Sequence, residues 1–206
     1  MLAYGNWNHK LKRPRFIVEG GIMKKNLLPL TETALLIALA TVLELISEYL
    51  IHIEMPQGGS VSLAGLAILI AGYRHGYKYG LVAGLCFGII NFMLGGFWFH
   101  WGSIFFDYLL PFTALGLTGF FQKPAQKNIF IFILGIIIAG TVRWIIHSLS
   151  GVLFFQEYAA EAGYADAVWF YSFIVYNLGY NLACTVLCAV TGSILWPFLI
   201  KKNTEN

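Results

Sequence analysis

Charge is what this sequence has least of. Only 11% of its 206 residues are Asp, Glu, Lys or Arg, about half the usual share of a soluble domain. In their place stand 58% hydrophobic and 17% aromatic residues, with a mean hydropathy of +0.71. A water-soluble globular domain is excluded, and the net charge of +3 is too small to suggest nucleic-acid binding. Cysteine is scarce: Cys86, Cys184 and Cys188 lie in apolar stretches, the last two one helical turn apart, so a disulfide framework is not indicated. There is no GxxxxGK[ST] phosphate loop, HExxH, CxxC pair or GxSxG elbow. No nucleotide-hydrolysing or other enzymatic centre is therefore expected, and no cofactor is called for. The first apolar run begins near Leu27 at full span length without a small-residue cleavage site, so it reads as a retained helix rather than a signal peptide.

What is present is apolar length. A hydrocarbon core of about 30 Å needs about 20 helical residues, and stretches of that order fall near 30–51, 79–96, 103–121, 129–155 and 168–200. The run Val61–Tyr73 is short but uncharged; counting it as a sixth helix keeps the basic loops on one side. The expected fold is an all-α integral membrane protein of six transmembrane helices.

The charges then sort by side. Lys10, Lys12, Arg13, Arg15, Lys24 and Lys25 precede the first span, Arg74 and Lys78 follow the second, Lys123 and Lys127 the fourth, Lys201 and Lys202 the sixth. Twelve of the 13 basic residues share one face, which the positive-inside rule makes cytoplasmic, with both termini inside. The opposite face receives Glu54, Glu157, Glu161 and Asp166. Residues 1–22 are polar and basic, and read as a cytoplasmic tail or a mis-assigned start. Glu19-Gly20-Gly21-Ile22 is encodable by a GAAGGAGG ribosome-binding run, and Met23-Lys24-Lys25-Asn26 resembles a bacterial start. Residues 23–206 form the single membrane domain. No inverted internal repeat is visible, which disfavours a self-sufficient rocking carrier.

Ionisable groups inside spans are costly and by default mark a pathway or a site. Here they are Glu44 and Glu48 on the first helix, Asp107 on the fourth, and Arg143 and His147 on the fifth. Asp107 lies about one turn inside the acidic face, where it meets either a cationic ligand from outside or the guanidinium of Arg143. Arg143 and His147, at i and i+4, share one helical face. His147 either contacts a heterocycle or bonds a neighbour such as Ser148 or Ser150. Glu44 and Glu48 line an outer vestibule or pair with Arg143. The aromatics near the outer face, among them Phe97, Trp98, Phe155, Tyr158 and Tyr171, form an interfacial belt or, in part, a cation-binding cage. Asn177, with Tyr176 and Tyr180 close by, offers an amide suited to a heterocycle's edge.

Several segments together resemble the ThiT (YuaJ) family. They are Leu30-Thr-Glu-Thr-Ala34-Leu-Leu-Ile-Ala38, Met55-Pro-Gln-Gly-Gly-Ser-Val-Ser62, Asp107-Tyr-Leu, Arg143-Trp-Ile-Ile-His147 with Ser150-Gly-Val-Leu-Phe-Phe155, and Tyr171-Ser leading to Tyr176-Asn177. That family comprises the thiamine-specific membrane subunits, or S-components, of energy-coupling-factor ABC transporters. The resemblance covers about residues 24–200 and implies a bacterial plasma-membrane protein that captures thiamine from outside and works with a transmembrane coupling protein and two ATPases. It implies substrate-binding roles for Asp107, Tyr108 and His147 at an aminopyrimidine, for Phe155 as a stacking ring, and for Asn177. Trp98 matches an aromatic of the outer loop before the fourth helix. Tyr171 stands six residues before Asn177, where the family has its tyrosine five before. One residue turns an α-helix by about 100°, so this match requires a local bulge. Ala34 and Ala38 match a small-residue strip that docks on the coupling protein or, as an alternative, packs within the monomer. A self-contained proton-coupled carrier, with Asp107, Glu44, Glu48 and His147 as relay groups, is the competing reading.

Overall fold

The computed structural model describes residues 16–51, 55–56 and 58–200. Among them there is no β-strand. Helix α1 spans Phe16–Ile46 and runs on as a π-helical turn, Ser47–Ile51. Helix α2 spans Ala64–His75 and α3 spans Tyr77–Met93. Helix α4, Trp101–Ala125, is composite, with a π turn at Phe105–Leu109 and a 3-10 stretch at Gly116–Phe121. Helix α5 spans Ile129–Phe154. Helix α6, Val168–Leu199, carries a third π turn at Tyr171–Tyr176. Four helices, over Leu27–Tyr49, Trp101–Ala125, Ile129–Phe154 and Val168–Leu199, are long and apolar enough to cross a membrane; α3, with 17 residues, is shorter.

Residues 1–15 lie outside the described residues, as do Glu54, Lys201 and Lys202, whereas Phe16–Ile22 continue the backbone of α1. Once a helix is nucleated, each added residue costs little, and nothing in this stretch is a proline.

The short run that sequence reading admitted as a sixth helix turns out to be the centre of the bundle. Every residue of α2 from Ala64 to Tyr73 is buried. A helix that is apolar all round is one enclosed by others, and α1, α3 and α4 all pack against it. Its end is tied by the Tyr73 hydroxyl donating to the Phe132 carbonyl of α5. The outer helices instead turn Leu35, Val82, Phe130, Ile194 and Phe198 outward, each at least half exposed, as lipid contact requires.

Two glycines do essential work here. Gly76 (φ +89°) is the single-residue joint between α2 and α3. Gly84 brings α3 against α4 backbone to backbone: a Cβ there would sit 2.1 Å from the Phe112 carbonyl oxygen. Close approach through small residues is the usual means of helix association in lipid, and it fixes the height of α4 relative to α3.

At the end of the bundle where α2 meets α3, Arg74 donates to both carboxylate oxygens of Glu32 at 3.0 and 3.1 Å, and His75 Nε2 lies 2.8 Å from the same group. Arg74 also donates to the Leu199 carbonyl and accepts from Gln122 through its own. Four helices are thus joined at this end.

Substituting Gly84→Ala forces α3 and α4 apart and is expected to cost about 1–3 kcal/mol, read as a fall in melting temperature in detergent. Gly179→Ala, with nothing within 4 Å of the added carbon, is expected to leave it unchanged.

Candidate functional site

At the opposite end the helices diverge around a cavity of about 300 Å³, within the range of small-molecule sites. It is about 18 Å along α1 from Glu32 to Glu44, at 1.5 Å per residue. Three of the helices that feed the cavity do so at their π turns. An i→i+5 turn holds one residue more than an α turn and is found mostly at functional sites. The turn on α1 presents Glu48, the turn on α4 presents Asp107 and Tyr108, and the turn on α6 presents Tyr171, Ser172 and Tyr176.

The polar centre joins α4 to α5. Asp107 Oδ1 lies 3.6 Å from His147 Nδ1, the histidine buried and the carboxylate partly open. The other ring nitrogen, Nε2, accepts from Arg143 Nε at 3.4 Å, and the guanidinium carbon stands 4.9 Å from the centroid of Phe112. Among the described residues no guanidinium or ammonium group comes within 4 Å of Asp107. The direct Asp107–Arg143 pair considered from sequence is absent; His147 stands between them. Glu44 does not pair with Arg143 either, and accepts from the Ser60 hydroxyl at 2.9 Å.

The amide of Asn177 is held from two sides. Its Nδ2 donates to the Ser172 carbonyl at 2.9 Å, and its Oδ1 accepts from the Tyr180 hydroxyl at 2.8 Å. The Tyr108 hydroxyl donates to the Phe97 carbonyl at 2.8 Å, which brings the loop after α3 over the cavity. The loop before α2 is tied down by the Tyr176 hydroxyl donating to the Gly58 carbonyl at 2.9 Å. Gly59, at φ +93°, passes so close that a Cβ would lie 3.0 Å from the Tyr180 ring; only glycine combines that backbone with that contact.

Of the residues singled out from sequence, Asp107, Tyr108, His147, Phe155, Tyr171 and Asn177 all line this cavity. Tyr171 does so because the π turn at Tyr171–Tyr176 absorbs the extra residue. Trp98 is the correction: it is 56% exposed and does not line the cavity, whereas its neighbour Phe97 does. Adjacent side chains in this non-helical loop point to different sides, and Phe97 is the one that packs towards Phe155, centroids 6.2 Å apart. Ala34 and Ala38 lie on the exposed face of α1, outside the packing of the monomer. Asn91 and Phe112 also line the cavity and were missed. Asn91 had a signal, a lone amide in the apolar run Ile89-Ile90-Asn91-Phe92; Phe112 had none.

Fold and cavity together define an α-helical membrane protein with a ligand-sized chamber at one end of its bundle. The chain belongs to the family described as thiamine transporter protein (Thia_YuaJ), whose profile matches residues 30–204. It is 31% identical over 192 residues to the thiamine transporter ThiT of Bacillus subtilis (strain 168), covering 87% of this chain and 97% of that one. It is 30% identical over 186 residues to the thiamine transporter ThiT of Lacticaseibacillus paracasei, covering 83% and 88%. A solved structure of ThiT from Listeria monocytogenes superposes with a TM-score of 0.73 at 25% identity, over 86% of this chain and all of that one.

Because no guanidinium or ammonium group among the described residues lies within 4 Å of Asp107, Asp107→Asn is expected to shift the melting temperature measured without ligand by no more than about 3 °C, or about 1 kcal/mol for a chain of this size. A drop several times larger would identify Asp107 as a structural group.

Proposed function

We propose that this chain is the thiamine-binding membrane subunit, the S-component, of an energy-coupling-factor ABC transporter in a bacterial plasma membrane. In this reading all six helices belong to the membrane domain, both termini are cytoplasmic, and the cavity opens to the outside. The observation that carries it is the composition of the cavity wall: a carboxylate and a histidine in one chain, an oriented amide, several aromatic rings and an excess of carboxylates over guanidinium. Thiamine pairs an aminopyrimidine, which offers donors and acceptors at its edge, with a permanently cationic ring. Asp107 and His147 suit the first; aromatic faces and carboxylates suit the second, each cation-π contact contributing up to about 2 kcal/mol once desolvated.

Transport against a gradient then needs an outside source of energy, since the sequence has no nucleotide-binding loop. The exposed faces of Ala34 and Ala38 are the surface on which a coupling protein with two ATPases docks, small side chains allowing its helices to come close. Loading of the cavity, closure of the Met55–Ser60 segment and reorientation of the whole subunit are the steps this arrangement supports.

Thiamine titrated into purified protein is expected to quench intrinsic fluorescence saturably, with His147→Ala weakening binding by about 1–3 kcal/mol, the cost of removing a buried hydrogen-bonding partner. On the same titration Ala34→Leu and Ala38→Leu are expected to bind normally, while uptake by liposomes containing the coupling protein and ATPases is lost. Uptake of thiamine by the purified chain alone would overturn the S-component reading, and equal loss of binding and uptake would overturn the role of the alanines.

A further inference from the structure

Asp107, His147, Asn177 and the aromatic rings account for recognition of a heterocycle's edge and faces, while the two other carboxylates of the cavity, Glu44 and Glu48, have so far been given no individual role. Glu44 and Glu48 lie one turn apart at the cavity end of α1, both half-buried and both in the wall. Among the described residues neither lies within 4 Å of a guanidinium or ammonium group. Glu44 accepts a hydrogen bond from Ser60, a neutral donor that orients the carboxylate without cancelling its charge. The one guanidinium in the wall, Arg143, is directed at the His147 ring and the Phe112 face. With Asp107, three carboxylates therefore face one guanidinium around a chamber of about 300 Å³.

Carboxylates drawn out of water are costly unless compensated. A ligand that carries positive charge lowers that cost on entering, a neutral one of the same shape leaves it in place, and a ligand bearing a phosphate, with about −1.5 to −2 charge near neutral pH, raises it. Discrimination of this kind works through repulsion of the wrong ligand as much as attraction of the right one. We infer that Glu44 and Glu48 are specificity residues that make the cavity select the cationic, unphosphorylated vitamin over its phosphate esters and over uncharged isosteres. The inference rests on the cavity being the thiamine site. It assigns to α1 a role in ligand choice, on the same helix whose outer face carries Ala34 and Ala38.

The test compares three ligands on the full chain in detergent. They are thiamine, thiamine monophosphate, and the thiophene isostere in which carbon replaces the quaternary nitrogen. The unaltered protein is expected to bind thiamine at least tenfold more tightly than either of the others. In Glu44→Gln/Glu48→Gln, thiamine affinity is expected to fall tenfold or more while the isostere changes less than threefold, and discrimination against the monophosphate shrinks by at least tenfold. Glutamine keeps the oxygen that accepts from Ser60, so the loop contact survives. Should the double variant melt below its assay temperature, Glu48→Gln alone is expected to show the same pattern at about threefold. Proportionate losses for all three ligands, or none for thiamine, would overturn the inference while leaving the site in place; absence of thiamine binding by the unaltered protein would overturn the site itself.

Discussion

Lipid supplies no hydrogen bonds, so a chain crossing it keeps its backbone helical and still has to turn polar side chains towards one another. This protein meets both demands with π turns. At Ser47–Ile51, Phe105–Leu109 and Tyr171–Tyr176 the helix gains a residue without losing its backbone bonding. At each of these places polar or aromatic groups enter the cavity wall. Helix α5 contributes its pair, Arg143 and His147, from regular α-helix, where the i, i+4 spacing already places them on one face.

The rest of the fold serves that convergence. The buried α2 provides an apolar axis, the contact at Gly84 sets α4 beside α3 at a fixed height, and Glu32, Arg74 and His75 close the opposite end. The cavity is left where the helices diverge, roofed by loops that Tyr108 and Tyr176 help to hold through hydrogen bonds from their hydroxyls. Those bonds end on the backbone carbonyls of Phe97 and Gly58, so they constrain loop position while placing few demands on loop sequence.

Much of this was legible in the sequence because the membrane makes polarity conspicuous. Asp107, His147, Glu44 and Glu48 stand out in apolar surroundings, and the sparse lysines and arginines mark loop ends. The central burial of α2 was not legible, since an uncharged run of a dozen residues reads alike whether lipid or protein surrounds it. The choice of Phe97 over Trp98 was equally hidden, because no periodicity governs an irregular loop. Tyr171 is the instructive case: at six residues before Asn177 it is out of phase with the resembled pattern on an α-helix, and the π turn at Tyr171–Tyr176 is the kind of bulge that match requires. The three-member line Asp107, His147, Arg143 could be read only as a set of candidates, because sequence spacing does not show which of two basic groups the carboxylate meets first.

The claim that local helix geometry aims the binding groups can be tested by removing the residue the π turn accommodates. Deleting Val175, which is 44% exposed on the outer side of that turn, returns Tyr171 to five residues before Asn177 and lets the segment close as an ordinary α turn. The same single deletion at Ala183, in regular α-helix, instead rotates everything beyond it by about 100°. Thiamine affinity measured by titration is predicted to stay within about threefold of the unaltered protein for the Val175 deletion and to be lost for the Ala183 deletion. Equal loss in both would contradict the account.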